Sequence, residues 1–455
     1  MKTTIAALVS VALVAGSVGC AKGASGGPAW TRWGITKPTT EDSAEAALAE
    51  AYRLFYAQKT DSARQIYQDL VGRFPQSAEA HLGLSMAYRY LSNRDTALAE
   101  ARAALKLDSA AVGALLDYAD LIAPGRTGPV PDMTDSARFA EADRANLKAA
   151  KSKHPLNAYA NVQLLTDYLA RARLADAWHQ AAELSRKRYY PQPLLDYARN
   201  LLVGLEPNAV LFTNGDNDTY PLWALQHGRQ PFRPDVAVVN LTVLNFGAVV
   251  KKLRDSLGLP VSFTDQEIDA LAPKVETTGA TLSPPMPPSH QIIENVIASA
   301  PKARRPVYLA VTMGPEAVPY TDRLVLEGLV NRVVEGERAE PMDYKRIAEN
   351  VTEKYRLGWP GAIPPWPANM SPMARIIQPL AQNYGFLYIL MAYYYGTQKD
   401  QAKTDDAVSN AVTWALRSGS TAAATDYADT WLSRDSGNVV AKKLKAELEK
   451  AGKTN

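Results

Sequence analysis

The run Thr213-Asn214-Gly215-Asp216-Asn217-Asp218-Thr219 carries the densest set of groups able to do chemistry. Its carboxylates, Asp216 and Asp218, flank an asparagine and offer oxygen ligands from one short loop. That arrangement suits a hard divalent cation, Mg²⁺ or Ca²⁺. The run follows an apolar, strand-like stretch and precedes a helical one, and α/β proteins place ligands outside the carboxyl ends of their strands. Two further strand-like stretches also end in polar residues: Asn240, Thr242 and Asn245 after one, Thr312 with Gly314 after the other. The candidate ligand or metal residues are therefore Asn214, Asp216, Asn217, Asp218, Thr219, Asn240, Asn245 and Thr312, with Asp216 and Asp218 as the metal pair. The enzymatic reading of this loop is a metal-assisted transferase or hydrolase acting on a sugar or phosphate compound. The other reading is architectural. Asn, Gly and Asp are the commonest turn formers, and Asp218 is placed to cap a helix starting near Tyr220.

Other chemistries find little support. The calcium-hand pattern needs a glutamate at the twelfth position, and counting from Asp216 that position is His227. The histidines, His81, His154, His179, His227 and His290, lack ligand spacing for zinc. There is no Gly-x-Ser-x-Gly elbow and no Gly-rich phosphate cradle, and the single cysteine, Cys20, lies in the N-terminal leader. His227 is read as a satisfied helix-end residue rather than a partner of the Asp216 loop. Trp359 and Trp366, in a Pro-rich loop, suit either ligand stacking or a gap between domains.

The loop sits in a chain of changing texture. From Glu41 to Asp108 the sequence is alanine-rich, with apolar residues at helical spacing and breaks at Lys59–Asp61, Phe74–Ser77 and Ser92–Asp95. A shift of 34 residues aligns Leu54 with Tyr88, Ala63 with Ala97, and Leu70 with Ala104, which is the tetratricopeptide period. Ala63 and Ala97 are small where two helices cross, Tyr67 fills the neighbouring groove, and Pro75 stops a helix. The phase survives a Pro/Gly-rich insertion at Pro124–Asp135, since Leu164, Tyr168 and Ala177 repeat the spacing of Leu84, Tyr88 and Ala97. At Pro207 three nearly continuous apolar runs begin, Ala209–Thr213, Val236–Leu241 and Pro306–Thr312, with helical stretches between them. These suit a parallel sheet covered on both faces. Helical hairpins return after Arg338. The expected fold is mainly α with an α/β insert: tetratricopeptide-like helical repeats over 41–205, a small parallel-sheet α/β domain over 206–338, and a C-terminal helical repeat-like region of hairpins over 339–455.

The N-terminus has the layout of a signal peptide over 1–19: Lys2, the apolar run Ile5–Ala15, then small residues before Cys20. Val18-Gly19-Cys20 resembles the lipobox of bacterial lipoproteins, with Ser17 where leucine is usual. Cys20 is then the lipidation site, and residues 20–40 form a lipid-anchor tether, flexible over Ala24–Pro38. By resemblance to lipoprotein sorting, Ala21 and Lys22 direct the protein to the periplasmic side of the outer membrane. No later apolar run is long enough to span a bilayer. The 50 Lys and Arg are interleaved with 47 Asp and Glu, and the absence of a basic stripe excludes nucleic acid as a partner.

Leu211 to Trp223, then Arg233-Pro234-Asp235-Val236 and Val239-Asn240-Leu241, closely resemble a segment of bacterial membrane proteins whose N-terminal part is like protein O-mannosyltransferases. Arg305 to Thr312 and Leu326-Glu327-Gly328-Leu329 with Arg332 resemble a second block of the same extracytoplasmic C-terminal region. The likeness covers Pro207–Val334 and omits the membrane-embedded transferase. It therefore implies an extracytoplasmic α/β module in a cell-envelope or glycan-related setting, and no transfer chemistry. The combined expectation is an envelope-anchored lipoprotein adaptor. Its repeats hold a protein partner, a lipid anchor ties it to the membrane, and the Asn214–Thr219 loop is its candidate ligand site.

Overall fold

A computed structural model describes residues 33–36, 42–124, 130, 133–273, 277–278, 281–282, 286–358 and 372–452. The leader, Cys20, most of the tether, Trp359 and Trp366 lie outside the described residues. The chain divides into two compact units, 1–168 with 368–373, and 169–367 with 374–455.

Unit one is built of helical hairpins: α1 (Asp42–Tyr56) with α2 (Thr60–Arg73), α3 (Ala78–Tyr90) with α4 (Arg94–Leu107), and α5 (Val112–Ile122) with α6 (Asp135–Ala150). Helix α7 (Asn157–Ala170) follows. The repeat is visible in the backbone, since α2 and α4 start 34 residues apart, as do α3 and α5. The α1–α2 and α3–α4 turns each use a left-handed residue at the same phase, Gln58 and Ser92, both at φ 62°. Ala63, Tyr67 and Leu70 line one face of α2 and are buried, as the pattern predicts. One close approach escapes the pattern. A Cβ on Gly83 would sit 2.3 Å from the Tyr67 ring, so only glycine lets α3 cross there.

The described end of the tether is docked onto the repeats rather than free. Trp33 and Ile35 are each 4% exposed. The Thr36 amide and hydroxyl donate to the Asp108 carboxylate at 2.5 and 2.7 Å, and the Val112 amide donates to the Gly34 carbonyl at 3.2 Å. Gly113 leaves room for this strap, because a Cβ there would lie 2.9 Å from the Trp33 carbonyl oxygen.

Unit two opens with α8 (Leu174–Arg186) and α9 (Gln192–Val203). The α/β module follows as β1 (Val210–Thr213), α10 (Asp216–Gln226), β2 (Ala237–Asn240), a 3₁₀ turn (Thr242–Asn245), α11 (Gly247–Leu257) and α12 (Asp265–Asp269). Next come the small hairpin β3 (Thr277–Thr278) and β4 (Thr281–Leu282), then α13 (Pro288–Ala303), β5 (Val307–Ala310), a 3₁₀ segment (Val311–Arg323), β6 (Leu324–Leu326) and β7 (Val330–Val333). Five strands form one sheet in the order β2-β1-β5-β7-β6. The three strands expected from sequence are parallel, with Val210 opposite both Ala237 and Val307, and all their residues are buried. The sheet is mixed rather than wholly parallel, because β7 and β6 add antiparallel strands at its edge. Gly328 makes their tight turn at φ 128°.

Two arginines lock the module at the starts of its strands. Arg233 donates to the carbonyls of Leu202, Leu205 and Glu206, each at 2.9 Å, and forks onto Asp235. Arg305 donates to the carbonyls of Leu257 and Gly258 at 2.5 and 2.7 Å and to that of Asn208 at 2.8 Å. Each guanidinium therefore adds donors to carbonyls at or just beyond a helix end.

Helices α14 (Tyr344–Glu349), α15 (Pro372–Thr397), α16 (Gln401–Arg417), α17 (Thr421–Arg434) and α18 (Val439–Gly452) complete unit two. Leu387, Met391, Ala407, Ala411 and Trp414 are buried, and Tyr395 is partly buried. Helix α15 is tied to α9 by Asn200 Nδ2 on the Tyr384 hydroxyl and Asn383 Nδ2 on the Tyr197 hydroxyl, both 2.8 Å. No helix among the described residues is long and apolar enough to cross a membrane.

Removing the Arg233 fork strands carbonyls at the α9 end and the Asp235 carboxylate together. Arg233→Ala is expected to cost about 2–3 kcal/mol, and Arg233→Lys to recover less than half of that, because an ammonium cannot fork. The shift of the urea unfolding midpoint measures both.

Candidate functional site

Strand β1 ends at Thr213, and α10 begins three residues later, so residues 213–219 form the rim at the carboxyl edge of the sheet. The Thr219 hydroxyl donates to the Gly215 carbonyl at 2.5 Å and accepts from Asn240 Nδ2 at 2.9 Å. Its one proton is thereby used, which leaves Thr213 as the donor in the 2.7 Å contact between the two threonine hydroxyls. Asn240 Oδ1 in turn accepts from the Thr242 amide at 2.8 Å. Thr213 and Thr219 are wholly buried, so this chain of bonds ties β1, β2 and α10 together out of contact with solvent.

Asp218 is the hub of the rim. Its Oδ1 accepts from the Gly215 amide at 2.8 Å, and its Oδ2 accepts from the Asn214 amide at 3.0 Å and the Thr312 hydroxyl at 2.5 Å. Gly215 is the N-cap of α10 and Asp218 its third residue. The carboxylate thus reaches back over the helix start and also staples it to the chain leaving β5. Burial pushes its pKa up, and the Thr312 hydroxyl and nearby amides pull it down. Asp216 occupies the first helical position, half-buried. Burial raises its pKa most, the backbone N–H groups of Asn217 and of Asp216 itself oppose this, and the Asp218 charge raises it further.

Of the residues expected to converge, Asn214, Asp218, Thr219, Asn240 and Thr312 are joined in one bonded rim, with Asp216 and Asn217 in the same turn. Asn245 is bonded elsewhere, to the Thr242 carbonyl and the Ser289 amide, each at 3.2 Å. Among the described residues no group of three or more His, Cys, Asp or Glu side chains is placed to hold a metal. His227 caps the far end of α10, roughly 16 Å from Asp216 at 1.5 Å per residue. It stacks on Trp178 with centroids 5.1 Å apart, and burial lowers its pKa to about 4.

Sequence reasoning gave no specific role to three residues near this edge. Thr213 reads as an ordinary strand residue, and its role follows only from its pairing with Thr219. His290 had no ligand spacing, yet it lies between the Tyr320 hydroxyl at 3.0 Å and the Glu316 carboxylate at 2.8 Å. Gly314 takes φ 50°, ψ −120° and kinks the chain between Thr312 and Glu316.

Residues 194–275 match the family described as TMEM260-associated domain 2. The match takes in most of α9, β1, the Asn214–Thr219 loop, β2 and α11 but not Thr312, and it overlaps the first of the two blocks singled out in the sequence. No curated protein matches the chain. Among solved structures, the P58(IPK) TPR domain is 9% identical, with 90% of this chain and 99% of that chain covered at a TM-score of 0.21. Naa15/Naa10 bound to HypK is 11% identical, with 90% and 61% covered at a TM-score of 0.22. At TM-scores this low neither likeness says anything of function.

Asp218→Ala leaves two amides and a hydroxyl without their acceptor and is expected to cost about 2 kcal/mol or more. Asp216→Asn should leave the ligand-free melting temperature unchanged or raise it, because it removes a like charge beside Asp218. Differential scanning calorimetry separates the two. His227 predicts a pH effect of definite sign. Its folded pKa, about 4, lies below the ordinary 6.5, so its contribution is complete above pH 6.5 and is lost as pH falls from there toward 4. His227→Gln should flatten this part of the stability profile in urea titrations at pH 7 and pH 5.

Proposed function

We propose that the protein is a lipid-anchored adaptor of the cell envelope. Its helical repeats hold a protein partner, and its α/β module serves as a rigid second element. The observation that carries this reading is the self-satisfied rim: the polar groups at the strand ends are bonded to one another and not presented to a substrate. An active site of this class needs donors and acceptors left open toward a reacting group. The stacked helical pairs of unit one supply the extended surface on which repeat proteins take partners. The leader pattern and Cys20 support an anchor on the periplasmic side of the outer membrane.

A metal-assisted transferase or hydrolase working on a sugar or phosphate compound is the second reading. It is favoured by Asp216, whose carboxylate stands in the same turn while Asp218 is committed to three donors. A rise in melting temperature with Mg²⁺ or Ca²⁺ that disappears in Asp216→Asn would favour this reading over the adaptor.

Affinity capture from envelope extracts tests the adaptor directly. The full chain is expected to retain partners that a chain lacking residues 33–168 does not, and an identical set from both would sink the proposal. Cys20→Ser should move the protein from the membrane to the soluble envelope fraction. Unchanged membrane association in that variant would remove the anchor.

A further inference from the structure

The joint between the first two helical pairs of unit one is held by a histidine that faces two acceptors at once. His81 stands near the start of α3. Its Nδ1 lies 2.5 Å from Glu100 Oε2 on α4, and its Nε2 lies 3.1 Å from the Pro75 carbonyl oxygen, in the turn between α2 and α3. A carboxylate and a carbonyl can only accept, whereas a neutral imidazole has a single N–H to give. Both contacts are hydrogen bonds only when the ring carries two protons, so the geometry itself calls for the imidazolium. The Glu100 bond raises the pKa of the ring most, burial opposes it, and the Pro75 carbonyl raises it further.

Among the described residues Glu100 is the one charged group that acts on the ring. Its neighbours one turn away along α4, Thr96, Ala97, Ala103 and Ala104, are uncharged. On α3, Glu79 is two residues from His81 and so on another side of the helix, and Arg89 is bound to Asp117 and Asp120 of α5. On α2, Arg73 and Asp69 pair with each other at 3.2 Å.

The two bonds join elements of different pairs. The turn holding Pro75 links the first pair to the second, and its own backbone bond runs from the Ser77 amide to the Phe74 carbonyl at 2.9 Å. The His81 ring fastens this turn to α4 by way of α3. The device belongs to this joint alone in the repeat, since 34 residues further on the place of His81 is taken by Leu115.

We propose that His81 is a proton-dependent staple for this joint, closed while both ring nitrogens carry protons and released from Pro75 when Nε2 loses its own. Nε2 gives up the proton because Nδ1–H is held in the shorter bond by a charged carboxylate. The neutral ring then turns a lone pair toward the carbonyl oxygen, and the turn lets go while the contact between α3 and α4 stays. This inference goes beyond the adaptor reading and does not depend on it. The folded pKa is raised above the ordinary 6.5, so the contribution of the staple is complete below pH 6.5 and is lost as pH rises through the folded value. The sign is opposite to that at His227.

The test follows the ring and the turn separately in the full chain. Magnetic resonance of ¹⁵N-histidine-labelled protein, with the His81 signals assigned by their loss in His81→Gln, is expected to show both nitrogens protonated at pH 6. Above the titration Nε2 should be unprotonated and Nδ1 still protonated. Protection of the Ser77 amide from hydrogen exchange, corrected for the intrinsic effect of pH, is expected to fall several-fold between pH 6 and pH 9, and to be independent of pH in His81→Gln. Glu100→Gln should move the titration of the ring back toward 6.5, a shift that a purely structural role would not produce. The proposal is overturned by a wild-type titration at or below 6.5, or by one that Glu100→Gln leaves unmoved. Loss of the Nδ1 proton in place of the Nε2 proton, or equal Ser77 protection at the two pH values, overturns it as well.

Discussion

The α/β module depends on satisfying the carbonyl ends of the helices that lead into its strands. A helix leaves its last carbonyls without intrahelical partners, and leaving such groups buried and unpaired costs about as much as a lost hydrogen bond each. Arg233 and Arg305 solve this problem twice in the same way. Each stands immediately before a proline at the start of a strand and turns its guanidinium back onto a preceding helix end. The fork geometry matters because one planar group with five donors can reach several carbonyls at once. With α9 and α11 fixed in this way, β1, β2 and β5 are held in the register that brings Thr213, Asn240 and Thr312 to one edge.

That edge shows how a loop rich in polar residues can be architecture. Asp218 accepts from two amides and a hydroxyl drawn from two different strand exits, and Thr219 bonds to Thr213, Gly215 and Asn240. In the low dielectric of a buried rim these bonds strengthen one another, and each group left open would be costly. The same residue types would serve a ligand equally well. What decides between the two roles is whether their donors and acceptors are already spent, and on Asp218, Thr219 and Asn240 they are.

Much of this was legible in the sequence, and the exceptions have physical reasons. The 34-residue period emerges because repeated helical pairs impose the same small and large residues at the same places, as Ala63 and Ala97 show. Strands β1, β2 and β5 are legible because a strand buried on both faces must be apolar throughout. Strands β6 and β7 lack that signature. β6 is a three-residue edge strand, and in β7 beside it Asn331, Arg332 and Val333 are only partly covered, so no long apolar run marks them. Gly83 and Gly113 are needed for contacts with residues 16 and 80 positions away, Tyr67 and Trp33, and no local pattern encodes such a distance. The composition of residues 24–38 reads as tether, and composition cannot reveal that Trp33 and Ile35 find a groove.

The docked strap also has a mechanical meaning. Cys20 precedes Trp33 by thirteen residues, a length of chain that cannot reach further than roughly 45 Å even when fully drawn out. Among the described residues, a load applied at the proposed anchor would meet Trp33 first. There it is shared between an inserted ring, the Thr36 contacts with Asp108 and the Gly34 contact with Val112. Bonds loaded side by side yield together rather than one after another. Under the proposed anchor at Cys20, the strap would act as a strain relief that shields α1 from tension.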